Sequence, residues 1–192
     1  LKNIIEEANH RRRPLNFIAR QPDLSGAEER IIVLSGVRRC GKSTMMKHHY
    51  FGKENHLFIN FEDPRLERFE TEDIEKLFEI IKEKKADCLL LDELQNLKSW
   101  EKLARFFHDR NLKVVITGSN SSMLSKELGS KLTGRYKQFE LFPFNFEEYS
   151  KYLKCNKNMA NFKKHLLQGG FPEYLMEQSD DYLHTLVNNI VI

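Results

Sequence analysis

The chain has 192 residues, 40% hydrophobic and 31% charged, with 31 Lys+Arg against 28 Asp+Glu for a net charge of +3. That balance excludes collagen-like and disordered chains, and it is too small to announce nucleic-acid binding by charge alone. No apolar run approaches the ~18 residues of a membrane span, and three scattered cysteines (Cys40, Cys88, Cys155) argue against a disulfide framework and for a reducing, cytoplasmic compartment.

Leu1 to about Asn9 reads as a helix with Ile4, Ile5 and Ala8 on one face, its acids Glu6 and Glu7 standing where a secretory leader needs apolar residues. A basic, proline-punctuated link containing Arg11-Arg12-Arg13 follows, and the simplest reading of that run is solvated surface. Ile31-Ile32-Val33-Leu34 is continuously apolar, as expected of a strand buried on both faces of a parallel sheet. The pattern returns at Leu57–Phe61, Cys88–Leu91 and Val114–Ile116, with a weaker fifth strand near Tyr136 to Phe142. Helix-period segments lie between: Ile74, Leu77, Phe78 and Ile81 after Thr71 as candidate N-cap, and Leu103, Ala104, Phe106 and Phe107 behind Ser99. Strands alternating with helices predict an α/β fold around a parallel sheet. After Phe144 the pattern turns helical over 146–153, 160–168 and from 182 onward. The organisation expected is therefore a helix and basic linker over 1–26, a core over 27–145 and a helical, lid-like segment over 146–192. The apolar stripe from Leu183 runs to Ile192 without a stop signal, which predicts a longer parent chain.

Chemistry concentrates at three strand ends. The first buried strand runs into Gly36-Val37-Arg38-Arg39-Cys40-Gly41-Lys42-Ser43-Thr44, the P-loop pattern in its strand-to-helix context. Glycines there let successive backbone N–H groups form a nest around phosphate oxygens, backed by a helix N-terminus. Lys42 supplies a point charge to β- and γ-phosphates, and the Ser43 hydroxyl a ligand to Mg²⁺. Leu89-Leu90-Leu91-Asp92-Glu93 places two acids at a strand's C-terminal end, facing the crevice where ligands of such sheets bind. Asp92 suits a hard cation, directly or through its water shell, and Glu93 a water to be oriented or deprotonated. Val114-Val115-Ile116 ends in Thr117-Gly118-Ser119-Asn120, where Ser119 or Asn120 would meet the γ-phosphate or its water, unless the stretch is simply a turn. Cys40, in an anion-binding loop near a helix N-terminus, is expected to have a lowered thiol pKa and to be open to alkylation. Phe139, Phe142, Phe144, Phe146, Tyr149 and Tyr152 are expected to be core rather than a base-stacking platform, and the scattered histidines suggest no zinc site.

These motifs, with Leu-Thr-Gly-Arg at 132–135, Pro-Phe-Asn-Phe-Glu-Glu-Tyr at 143–149 and Gly-Gly-Phe-Pro-Glu-Tyr at 169–174, resemble the AAA-type ATP-binding proteins of the archaeal-ATPase group over roughly residues 30–175. The resemblance implies a five-stranded sheet in order 5-1-4-3-2, ATP with Mg²⁺ as ligand, and a further C-terminal winged-helix-like or nuclease-like domain. It assigns phosphate and magnesium to Lys42 and Ser43, magnesium and water activation to Asp92 and Glu93, and γ-phosphate sensing to Ser119 or Asn120. Arg135 matches the arginine finger, acting on a neighbour's ATP if the chain self-associates. Val37 replaces the proline often found after the first glycine, and no lid arginine is evident. The expected function is Mg-ATP hydrolysis, slow in isolation, coupled to movement of an attached or partner domain, with DNA, a protein or neither remodelled through a C-terminal domain. An ATP-gated switch and a small-molecule kinase are the rivals, the kinase disfavoured because a water-activating acid is useless where water must be excluded.

Overall fold

Alternation within the first apolar run decides the layers. The computed structural model describes residues 1–9, 17–24, 26–27, 29–50, 55–119, 132, 134–177 and 179. In it all five residues of β1 (Ile31–Ser35) are buried. Successive side chains of a strand point to opposite faces, so Ile31 and Val33 join one core and Ile32 and Leu34 the other. The remaining strands are β2 (His56–Asn60), β3 (Cys88–Asp92), β4 (Lys113–Gly118) and β5 (Tyr136–Glu140). All pairings are parallel, in the order β2-β3-β4-β1-β5, which is the sheet the resemblance implies. The fifth strand reads weakly in sequence because it lies at the edge against β1 alone and is only half-buried.

One face is covered by α3 (Thr71–Lys84) and α4 (Trp100–His108), through Leu77, Ile81, Leu103 and Phe107. The other is covered by α2 (Lys42–Tyr50), through Met45, Met46 and Tyr50, together with Leu24 and Ala27. The cap of α3 is Glu70 rather than Thr71: the Glu70 N–H donates to Asp73 at 3.1 Å, closing the first turn one residue earlier than expected. At the open edge of the sheet, α1 (Lys2–Asn9) lies on β2. The Asn9 amide donates to the Phe58 carbonyl (3.1 Å) and accepts from its N–H (3.0 Å), occupying the backbone groups that an edge strand otherwise offers to aggregation.

Beyond β5, α5 (Phe146–Leu153), α6 (Met159–Gln168) and α7 (Pro172–Glu177) gather around a third apolar cluster of Phe144, Tyr149, Tyr174 and Leu175. Asn145 caps α5 reciprocally with Glu148 (2.9 and 3.1 Å). Gly170 can only be glycine, because a Cβ there would stand 2.1 Å from the Phe144 carbonyl oxygen. One aromatic departs from expectation. Phe142 is 63% exposed, since its neighbour Leu141 takes the inward direction and adjacent side chains of extended backbone point opposite ways. The tract from Tyr182 and the Arg11–Arg13 run lie outside the described residues. Among the described residues no helix is long and apolar enough to cross a membrane.

Candidate nucleotide site

The C-terminal ends of β1, β3 and β4 meet on one edge of the sheet. From Ser35 the chain enters the loop at Gly36, whose φ of 146° and close approach to Leu141 (2.1 Å from the carbonyl oxygen to a would-be Cβ) admit no side chain. Arg39 (φ 64°) and Gly41 (φ 99°) also take left-handed backbone, curling the loop before α2 starts at Lys42. Lys42 is 3% exposed and its ammonium donates to the carbonyls of Gly36 (3.1 Å) and Val37 (3.0 Å), so it lies across the loop it belongs to. The Ser43 hydroxyl donates to Asp92 Oδ1 at 2.7 Å, joining the first turn of α2 to the end of β3.

Asp92 is 4% exposed and accepts a second hydrogen bond on the same oxygen from Thr117 at 2.6 Å. Burial raises its pKa above the ordinary range, and the bonds from Thr117 and Ser43 pull the other way without overcoming it. A buried carboxylate short of compensating charge beside a serine hydroxyl is a fitting donor pair for a hard cation. Among the described residues no three His, Cys, Asp or Glu side chains cluster to hold a metal, so a cation here would complete its shell from phosphate and water, as Mg²⁺ does. Glu93, next in line, has a φ of 51°, a left-handed residue without a glycine's freedom. Its N–H is held by Thr117 Oγ1 (3.0 Å) and its carboxylate accepts from Gln95 Nε2 (2.6 Å), which also donates to Ser119 Oγ (3.0 Å).

A cavity of about 310 Å³ opens beside the loop. Gly41, Lys42, Ser43, Thr44 and Glu93 line it on one side, and Phe17, Ile18, Phe144, Tyr152 and Met176 supply an apolar wall opposite. Arg20 fastens that wall to the loop: its guanidinium donates to the Cys40 carbonyl (2.5 Å), the Phe142 carbonyl (2.7 Å) and Glu148 (3.1 Å), and stacks on Phe144. Arg39 reaches Glu173 of α7 at 2.9 Å.

Of the residues expected to form a site, Gly36, Arg39, Cys40, Gly41, Lys42, Ser43, Thr44, Asp92, Glu93 and Ser119 come together here. Arg38 does not: it is exposed and paired with Glu62 on the outer surface. Arg135 stands immediately before β5, at the opposite, N-terminal edge of the strands, and pairs with Asp109 at 3.0 Å. Asn120 lies outside the described residues. The expectation for Cys40 is overturned. Its side chain is fully buried with Sγ 3.3 Å from the Leu141 carbonyl, and desolvation raises the thiol pKa despite the nearby Lys42 and Arg20. Burial outweighs the cationic surroundings because the sulfur turns away from the nest, towards the sheet's second core.

Sequence reasoning missed Thr117, Gln95 and Arg20. Thr117 was legible as a hydroxyl directly after the apolar run Val114–Ile116, and Gln95 as a polar residue two places after Glu93. Arg20 carried no local signal, since its partners lie 20 to 128 residues away.

The comparisons agree with this geometry. Residues 28–150 match the family model described as AAA domain. An uncharacterized protein of Methanocaldococcus jannaschii is 33% identical over 172 residues, covering 81% of this chain and 38% of its own length. An uncharacterized protein of Haemophilus influenzae is 32% identical over 166 residues, covering 76% of this chain and 40% of its own. The chain thus spans about two fifths of the length of these curated relatives. With the loop, the paired acids and the sheet order in place, the chain belongs to the AAA domain family of P-loop NTPases.

Proposed function

We propose that the chain binds Mg-ATP and hydrolyses it to ADP and phosphate in the cytoplasm, slowly when isolated. The observation that carries this reading is the 2.7 Å contact between Ser43 and Asp92, which brings a hydroxyl and a buried carboxylate together at the loop that runs from Gly36 into α2. Mg²⁺ held by that pair would offset negative charge on the β- and γ-phosphates. The loop's N–H groups and Lys42 bind and orient the phosphates, while Phe17, Ile18, Tyr152 and Met176 offer the base an apolar wall. Glu93 accepts the proton of the attacking water, and Ser119 donates to the γ-phosphate. Arg135 belongs to a neighbour's site, which is why the isolated subunit is slow. The helical part, 146–192, carries nucleotide state to a further domain or to a DNA or protein partner, through Arg39–Glu173 and Arg20–Glu148 at its joint with the loop.

The test is direct. Lys42→Ala is expected to lose nucleotide binding at least about 10-fold, whereas Glu93→Gln is expected to bind ATP as the wild type does and lose turnover by about 10² or more. Calorimetric binding and phosphate release read the two. Glu93→Gln with wild-type turnover would remove Glu93 from the chemistry, whereas a wild type that binds ATP without turnover would remove the hydrolysis reading and leave an ATP-gated switch, which the distance of Arg135 from its own crevice favours as the second reading.

A further inference from the structure

Gln95 spends both amide hydrogens on residues of the crevice. The left-handed backbone at Glu93 turns the chain off the line of β3, and the 3-10 turn Leu94–Asn96 brings Gln95 back beside it. Its Nε2 sits 2.6 Å from Glu93 Oε2 and 3.0 Å from Ser119 Oγ, bridging the end of β3 to the end of β4. The strand ends do not need this bridge to stay together. Thr117 already joins them, donating to Asp92 and accepting from the Glu93 N–H. The amide is also held at a cost: Gln95 Oε1 is buried with no hydrogen-bond partner among the described residues. Redundant as a tie, and with its oxygen unmatched among the described residues, Gln95 makes sense through the two side chains it connects.

We propose that Gln95 is a positioning residue that couples the contact made at Ser119 to the carboxylate of Glu93, so that the acid is held for water when a γ-phosphate fills the crevice. Because the Ser119 oxygen accepts from Gln95, the hydroxyl's own hydrogen can go to an anionic oxygen, so that one amide nitrogen, donating to both sides, links the Glu93 carboxylate to the hydroxyl that meets the phosphate. The nucleotide-sensing half rests on this geometry, and its effect on turnover rests on the hydrolysis reading above.

The experiment measures ATP turnover on the full chain, and its affinity for ADP and for a non-hydrolysable ATP analogue. The variants are Gln95→Met, which keeps the side chain's length without the amide, Ser119→Ala, and the two combined. Gln95→Met is expected to lower kcat about 10-fold with KM unchanged. It is also expected to reduce the preference for the analogue over ADP to the level of Ser119→Ala, with the double variant no worse than either single. An unchanged preference in Gln95→Met, losses that multiply in the double variant, or a wild type that binds both nucleotides equally overturns the coupling. A wild type without turnover overturns the hydrolysis reading instead, and the affinity ratios still decide the role of Gln95. Should Gln95→Met fail to bind ADP, Gln95→Asn, whose amide stops one methylene short of Glu93, is read in the same way.

Discussion

At Asp92 two effects oppose each other on one carboxylate. Burial penalises its charge, and the hydroxyls of Thr117 and Ser43 support it. Burial wins, so the folded chain holds the proton more tightly than the unfolded one. The stability that goes with the protonated acid is then complete below the ordinary value of 3.8 and is lost as pH rises through the raised folded pKa. Asp92→Asn keeps an oxygen for both hydroxyls and removes the charge. The ligand-free variant is expected to gain about 1 kcal/mol at pH 7, roughly 2–4 °C in melting temperature for a chain of this size, with no gain at pH 3.5. It should also lose the stabilisation that Mg-ATP confers. Melting curves at both pH values decide it; a variant less stable than wild type at pH 7 would mean that the two hydroxyls do compensate the charge. The same contest is settled at Cys40, where burial keeps the sulfur a thiol despite two nearby cations.

Among the elements, the joint between sheet and helical part is where tertiary contacts concentrate on one side chain. Arg20 and Glu148 are 4% and 8% exposed, and Glu148 at the same time caps α5 with Asn145 and accepts from the Gln21 N–H at 3.2 Å. Removing the arginine leaves that carboxylate buried and unpaired, a loss of about 3–5 kcal/mol for such pairs. Arg20→Met is therefore expected to lose stability on that scale in chemical denaturation, and Arg20→Met with Glu148→Gln to recover part of it. A loss below about 1 kcal/mol would show the joint to be held by Gly170 against Phe144 and by the apolar cluster instead. The strands themselves were legible in the sequence, because a four-residue apolar run bounded by polar residues has few alternatives once parallel neighbours bury both its faces. The start of α3 was missed by one residue, since Glu70 and Thr71 are both plausible caps and only the bond to Asp73 chooses between them.

On the scale of the whole molecule, the position of Arg135 separates it from its own nucleotide site. It precedes Tyr136, which pairs with Ile31 at the start of β1, while the phosphate loop begins after Ser35 at its end. Five residues of parallel strand span about 16 Å, further than an arginine side chain extends. Turnover per subunit is expected to climb with protein concentration, and Arg135→Ala to abolish that climb by a factor of about 10³ or more while leaving ATP binding intact. A rate per subunit flat across concentration, or weakened binding in the variant, would remove Arg135 from the chemistry and leave its pair with Asp109 as its role.

Local pattern alone determined that buried strands alternate with helices, that the P-loop pattern follows the first of them, and that two acids stand at the end of the third. Each of these depends on residue type and spacing within a dozen positions, which a linear reading contains. Only the tertiary structure decided that Ser43 and Thr117 converge on one oxygen of Asp92, that Gln95 links Glu93 to Ser119, that Arg20 ties the loop to α5, and that Arg135 faces away. These arrangements depend on which strands lie side by side and on what burial does to charge. Both are properties of contacts between segments far apart in the chain, and no local periodicity records them.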